Sequence, residues 1–382
     1  MTGRWRWRGD VALLGVTLAF FVLPLLPSDD VINSDWPAFA TGARLIVHDP
    51  SHLYDFTAQR QVELQVTGGR VLVTLGIKGI LPFLAPAWVA LLAVPFDLLG
   101  PNIGGRLWVL FGLACLGVGL YLATRPRPPT VMLPAFASVP TALLMLNAQL
   151  DGIVALGVGA SIALWPRRRY LAGLALGLTL MKPQLVLPLG LAVILAREWR
   201  VLAGWATAGV LLLVTTLALS PRWVFDWLSQ TRSTVQTGAR EIDLPHLAVF
   251  LPDSLQGVGL AVLALVALGL VGWLAWRVRG QAGRAQGAFF VEEMRPAIAI
   301  LIAGGVLAAP HALPADLVLV AVGLAVWDRA TWIEWLALSA GALLAALTPA
   351  PYPTLIGVVL MLGLTSRISF WQRREPAPAS SR

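Results

Sequence analysis

Asp35 is the carboxylate best placed for acid–base chemistry. It stands in Asn33-Ser34-Asp35-Trp36-Pro37-Ala38-Phe39-Ala40-Thr41-Gly42-Ala43-Arg44, a polar stretch directly behind an apolar run. A carboxylate there can take the proton from a hydroxyl as that hydroxyl attacks. Asp29 and Asp30 read as solvated loop acids. Lys182, in Gly177-Leu178-Thr179-Leu180-Met181-Lys182-Pro183, interrupts an apolar run. A cation there is costly and usually functional, and Pro183 frees backbone groups beside it. Two readings stand: an ammonium facing an outer cavity and binding an anion such as phosphate, or a lysine snorkelling from a helix end. His311, between Pro310 and Pro314 with Asp316 following, is either a fixed phosphate-binding or acid-adjusting group or a turn histidine in water. Asn147-Ala148-Gln149, with Asp151 behind it, offers amides that bind hydroxyls or cap helix ends. His48, Asp49, Tyr54 and Asp55 shape the loop, with Asp49-Pro50 as a turn.

These groups must be positioned by a chain built for lipid. Of 382 residues, 57% are hydrophobic and 13% charged, with mean hydropathy +0.76, whereas a soluble domain carries about a quarter charged residues. The sequence is that of a polytopic membrane protein. Its net charge of +8 does not point to nucleic acid: the arginines form short clusters between apolar runs, and the aromatics lie in spans and at interfaces. Lys78 and Lys182 are the only lysines, and Cys115 is the only cysteine, which excludes an internal disulfide. There is no Walker A loop, His-Glu-x-x-His, Cys-x-x-Cys or Gly-x-Ser-x-Gly. ATP hydrolysis, zinc proteolysis and redox chemistry have no support, and no metal site is expected.

Apolar runs recur at roughly 11–27, 81–99, 106–123, 131–146, 150–165, 170–181, 183–196, 201–219, 257–276, 296–309, 315–327, 331–347 and 353–366. The first resembles a signal peptide without a small-residue cleavage site and reads as a retained span. Placing Arg4/Arg6/Arg8, Arg125/Arg127, Arg167/Arg168/Arg169, Arg197/Arg200, Arg277/Arg279/Arg284 and Arg373/Arg374 in the cytoplasm puts Asp35, Gln149, Lys182 and His311 outside. The parity closes at about 12 spans if 81–99 is re-entrant or interfacial, as Pro82, Pro86 and Pro95 permit. Residues 1–370 form one integral domain with outer loops 28–80 and 220–256. Within 37–65, Phe39, Ala43, Ile46 and Val47 lie near helical spacing, which predicts amphipathic helices on the outer face. Residues 371–382 read as a disordered cytoplasmic tail.

Taken together these features resemble glycosyltransferase family 87, of the membrane-embedded GT-C class. The resemblance rests on Asp35, Phe39 and Gly42-Ala43-Arg44; Leu53-Tyr54-Asp55; Pro82-Phe83 and Pro95; Asn147-Ala148-Gln149; Ala172-Gly173 and Gly177-Leu178 leading to Lys182-Pro183; Arg197-Glu198-Trp199-Arg200; and Pro310-His311 with Asp316-Leu317. It covers about residues 11–330. Two segments depart from the pattern. Ala148 replaces the usual glycine, and Gly76, Lys78 and Gly79 stand where a Tyr and a second Pro are usual.

The resemblance implies an all-α, GT-C-like bundle of about 12 transmembrane helices whose first extracytoplasmic loop carries short interfacial helices. It implies a plasma-membrane enzyme, with both termini cytoplasmic and the active site outside, moving a hexose, typically mannose, from a polyprenyl-phosphate carrier to a lipid or glycan acceptor with inversion. Asp35 would be the general base. Lys182 and His311 would hold the donor phosphate, and Gln149, Asn147, Arg44 and Tyr54 the sugar or acceptor. No cofactor beyond the lipid-linked donor is implied, and nothing supports a divalent metal. Two other readings remain: a secondary transporter, for which broken helices speak but no repeat does, and a non-catalytic scaffold of the same family.

Overall fold

The computed structural model describes residues 34–70, 72–74, 77–233, scattered positions between 252 and 309, 312–327 and 329–347. In chain order the helices are α1 (Trp36–His48), α2 (Phe56–Val66), α3 (Ala87–Asp97), α4 (Pro101–Thr124), α5 (Leu133–Phe136), α6 (Val139–Leu146), α7 (Asp151–Leu164), α8 (Arg169–Leu176), α9 (Leu187–Leu195), α10 (Trp199–Leu219), α11 (Trp223–Ser233), α12 (Val318–Trp327) and α13 (Trp332–Leu347). Short 3-10 turns at Gly177–Met181 and Pro183–Val186 flank Lys182, and Pro314–Leu317 leads into α12. The protein is mostly helical. A small antiparallel hairpin, β1 (Leu72–Thr74) with β2 (Ile77–Gly79), is the exception among the described residues, and the all-α expectation did not include it.

The sequence explains the boundaries. Gly100, at φ 84°, turns the chain, and Pro101 opens α4 where no N–H is needed. Asp55 caps α2, its carboxylate accepting the Ala58 N–H at 2.8 Å. α4 ends where Arg125 precedes Pro126.

Helices α4 and α10 are each long and apolar enough to cross a membrane. Residues 129–136 and 139–146, bent by 66° at their break, add a third if taken as one broken span. The stretches Ala87–Asp97, Asp151–Leu164, Arg169–Met181, Pro314–Trp327 and Trp332–Leu347 are apolar but only 10–17 residues long. The described residues therefore supply two or three spans of the expected bundle. The runs 11–27 and 353–366 and most of 257–276 lie outside them. α3, with 11 residues and Pro95 inside it, is about 16 Å long at 1.5 Å per residue. That is about half the hydrocarbon thickness, so α3 alone is too short to cross a membrane as a helix.

The two short helices expected in the first loop are present, but α1 does not lie on a surface. Trp36 through Ala43, with Leu45 and Ile46, are buried. The reason is side-chain size: Ala40 and Ala43 of α1 meet Ala87, Ala90 and Ala93 of α3 in one core, and small residues let two helices approach closely.

Close backbone packing joins α4 and α7. A Cβ on Gly152 would stand 2.0 Å from the Gly112 carbonyl oxygen, and one on Gly159 2.0 Å from that of Gly119. Both pairs are seven residues apart and run in the same order, so the helices are parallel. Arg125, after α4, and Arg167–Arg169, after α7, therefore share one end, while the 147–149 tip marks the other. Because backbone atoms stand in the way, side chains cannot move aside to admit a larger residue. Gly152→Val is expected to cost at least about 1–3 kcal/mol, measured as a lower unfolding midpoint in detergent.

Candidate active site

The site begins at the N-terminus of α1. An acid in this position ordinarily caps its own helix, but the Asp35 carboxylate makes no such bond. The Trp36 N–H goes to Ser34 Oγ instead, at 3.2 Å. This leaves the Asp35 carboxylate for another partner, Gln149, whose side-chain amide donates to Asp35 Oδ2. The backbone adds a second tie, the Asp35 N–H to the Asn147 carbonyl at 3.2 Å. Asp35 is half-buried while Gln149 is buried, so the amide orients the carboxylate from the interior side. The positive end of α1 favours its charged form.

The 147–149 tip is itself fixed. Its Gln149 N–H returns to the Leu144 carbonyl at 3.0 Å, and the Ala148 carbonyl accepts from Trp108 Nε1 of α4 at 2.9 Å. Trp108 packs between Phe39 and Phe96, with ring centroids 5.2 and 5.3 Å away. α1, α4 and the tip thus share one aromatic joint. Ala148, the residue that replaces the usual glycine, has φ 52°. An L-residue with a Cβ is strained in this left-handed region.

Two residues beyond Gln149, Asp151 opens α7 and receives Lys182. Lys182 Nζ lies 2.9 Å from Asp151 Oδ2 and also donates to Asp316 Oδ1. Asp316 is held in turn, its Oδ2 accepting the Leu313 N–H at 2.8 Å. Lys182 is 7% exposed. It neither snorkels to a surface nor presents a free ammonium, because two carboxylates, one more than its charge requires, already hold it. Burial of a lone cation would be prohibitive, and the chain supplies both partners at helix starts, where negative charge is favoured. The sequence reading noted Asp151 and Asp316 but did not pair them with Lys182. The available signal was three ionisable groups in apolar surroundings, which must find one another.

The segment 81–85 forms a strap over α1 and α2. Lying outside any helix or strand and partly buried, it needs partners for its backbone, and side chains provide them. Gln59 Oε1 accepts the Phe83 N–H at 3.0 Å, and Gln59 Nε2 donates to the Phe83 carbonyl at 3.2 Å. Glu63 Oε1 accepts the Leu81 N–H at 3.0 Å. Gln59 and Glu63, one helical turn apart, thus read alternate residues of the strap. Trp227 Nε1 donates to the Leu84 carbonyl at 2.6 Å and Tyr54 Oη to that of Ala85 at 2.8 Å. Phe83 then lies against Gly42, where a Cβ would be 2.7 Å from its ring.

The other candidates have different partners. Arg44 pairs with Asp97 of α3, Nε to Oδ2 at 3.1 Å, and Tyr54 is buried on the strap. In this structure both are engaged by the scaffold, Arg44 by Asp97 and Tyr54 by the Ala85 carbonyl, rather than directed at a sugar or acceptor. Asn147 contributes its carbonyl to Asp35. His311 lies outside the described residues. The structure thus brings Asp35, Gln149 and Asn147 together and sets Lys182 beside Asp151, at the same end of α7. Among the described residues no cluster of His, Cys, Asp and Glu is arranged to hold a metal ion.

A helical membrane protein with an oriented carboxylate at the end of its bundle is the class these features define. The family model for glycosyltransferase family 87 matches residues 83–304, more than half of the chain, and the chain belongs to that family. It is a membrane glycosyltransferase. The match includes Asn147, Gln149 and Lys182, while Asp35 precedes it. No curated protein and no solved structure matches the chain.

Two expectations follow from this geometry. Ala148→Gly is expected to stabilise the protein by about 1 kcal/mol by releasing left-handed strain, seen as a higher unfolding midpoint. Lys182→Met, leaving two buried carboxylates without their cation, is expected to cost about 3–5 kcal/mol. Adding Asp151→Asn to that variant should recover part of the loss in the same melting experiment.

Proposed function

We propose that the enzyme transfers a hexose, mannose by resemblance, from a polyprenyl-phosphate carrier to a hydroxyl of a lipid or glycan acceptor. The observation that supports this reading best is the Asp35 carboxylate. It is not used as a helix cap, is half-exposed, and is oriented by Gln149 and by the Asn147 carbonyl from more than a hundred residues away. Asp35 takes the proton from the acceptor hydroxyl as the hydroxyl oxygen bonds to the anomeric carbon. The bond from that carbon to the phosphate oxygen breaks, and the electron pair leaves with the polyprenyl phosphate. Attack opposite the leaving group inverts the anomeric centre, so a β-linked donor gives an α product. No nucleotide is consumed.

The leaving phosphate needs positive charge nearby. Lys182 and His311 are the residues we assign to it. For Lys182 the role requires Asp151 or Asp316 to yield a contact as the phosphate arrives. The orientation we favour has the arginine clusters and both termini in the cytoplasm of a plasma-membrane protein, the site outside, and about 12 spans in all. A secondary-transporter reading draws on one observation, the buried Asp151–Lys182–Asp316 cluster between broken 3-10 segments. It leaves the uncapped Asp35 carboxylate without a task.

The test is reconstitution in liposomes with radiolabelled polyprenyl-phosphate mannose and membrane lipid acceptors. Asp35→Asn is expected to lower transfer by about 10²–10⁴-fold, the usual contribution of a general base, with the fold intact by melting. Transfer that survives the substitution removes Asp35 as the base. A folded wild type that uses no lipid-linked hexose returns the transporter and scaffold readings.

A further inference from the structure

Lys182 can take the donor phosphate only if Asp151 or Asp316 yields, and the structure distinguishes the two. One ammonium faces two carboxylates, so with both ionised the cluster is one negative charge in excess. Asp151 is 0% exposed and Asp316 1%. A phosphate at Lys182 adds at least one more negative charge in the same place. Excess charge in such surroundings is too costly to keep. A proton relieves it without needing a cavity or a ligand shell, and a carboxylate takes one directly.

The three members of the cluster are held unequally. The turn that carries Lys182 is pinned: Trp88 Nε1 of α3 donates to the Leu180 carbonyl at 3.0 Å, and the Lys182 N–H to the Thr179 carbonyl at 3.2 Å. Asp316 is held at both oxygens, Oδ1 by Lys182 Nζ and Oδ2 by the Leu313 N–H. Asp151 is held at one. Its Oδ2 lies 2.9 Å from Nζ, while its Oδ1 is buried with no hydrogen-bond donor on it. The two carboxyls are also within side-chain hydrogen-bonding reach of each other. Two carboxylates cannot make that bond, whereas a carboxyl and a carboxylate can. Of the elements packed against Asp151, α4 carries Arg106, Cys115 and Tyr121, and α8 carries Arg169 and Tyr170 at the far end of α7. The 147–149 tip, the 177–181 turn and α12 carry no ionisable side chain. Among the described residues, the charged groups that act on Asp151 are Lys182 and Asp316.

We propose that Asp151 is a proton-operated gate on the donor-phosphate site: it takes up one proton as the phosphate reaches Lys182, and the neutral carboxyl releases the ammonium to the phosphate. The proposal rests on the reading of Lys182 as the phosphate-binding cation. The bond formed on Asp151 is one O–H, the proton comes from water, and Lys182 keeps its charge throughout. A neutral acceptor holds an ammonium less strongly than a carboxylate does, and the new O–H can turn to Asp316. Asp151 touches the lysine rather than the sugar, so it is a positioning residue. Phosphate and proton then favour each other's binding. The complex keeps the proton to higher pH than the free protein does, so across that interval affinity falls about tenfold for each unit of rising pH.

The experiment is calorimetric titration of the full-length protein in nanodiscs with polyprenyl phosphate, the leaving group of the reaction. Running it at one alkaline pH in buffers of different ionisation enthalpy counts the protons taken up. Wild type is expected to take up about one proton more than Asp151→Asn, which also loses the pH dependence of affinity that this proton causes. Equal proton counts in the two proteins overturn the proposal, because the proton is then on the phosphate or on His311. If Asp151→Asn does not fold, wild type with carboxyl-labelled aspartate is read by infrared difference spectroscopy. A protonated-aspartate C=O band that appears with polyprenyl phosphate and shifts with the label is expected, and its absence overturns the gate. The reading of Lys182 fails in a different way. Adding Lys182→Gln to Asp151→Asn is expected to weaken polyprenyl-phosphate binding about tenfold or more. Binding indifferent to that change refutes the phosphate-binding lysine, and the gate falls with it. Binding that needs Lys182 while the proton counts agree refutes the gate alone.

Discussion

The contact of α4 with α7 is where the rest of the structure takes its dimensions. At Gly112–Gly152 and Gly119–Gly159 the two backbones approach to a distance that a single methyl group would violate. That spacing brings the Trp108 indole to the Ala148 carbonyl, and this bond places the tip whose next residue orients Asp35. It also sets where Asp151 begins α7 and meets Lys182. In lipid the hydrophobic effect does not press helices together, so small residues and satisfied polar groups do that work. Here the glycines supply proximity, and the polar groups at the helix ends supply orientation.

Charge in the interior follows one rule, that an isolated buried ion is too costly to keep. Lys182 obeys it by having two carboxylates, while the partly exposed Arg44 pairs with Asp97. The backbone of the 81–85 strap obeys the neutral version of the same rule, its groups taken up by Gln59, Glu63, Tyr54 and Trp227. The Asp35 carboxylate does not cap its own helix and takes the Gln149 side-chain amide instead.

Much of the site was legible in the sequence because its logic is one-dimensional. Arginine clusters between apolar runs place Asp35 and Gln149 at the same end of the helices, and the structure joins them. Helices long enough to span were equally readable in α4 and α10. Other features were not. Arg44 and Tyr54 look like ligand contacts because a sequence does not say that Asp97 and the Ala85 carbonyl will reach them first. The burial of α1 was hidden by its composition: Phe39, Ala43 and Ile46 mark one apolar face, whereas Thr41 and Gly42 look neutral and are buried too. Gln59 and Glu63 carry no motif at all, since a side chain that pairs with backbone is invisible until the partner strand is placed. The Ala148 substitution was visible as a departure, and its backbone angle gives the departure a physical meaning.

Helix α11 belongs to the second long loop, yet its Trp227 holds the Leu84 carbonyl, and its Trp223 lies 5.2 Å from the Trp88 ring and 6.3 Å from that of Tyr54. The strap it grips seats Phe83 on Gly42, one residue of the helix that begins beside Asp35. The two loops, separated in sequence by residues 81–219, are therefore mechanically joined. A displacement of α11 is thus passed through the strap to the helix that begins beside Asp35.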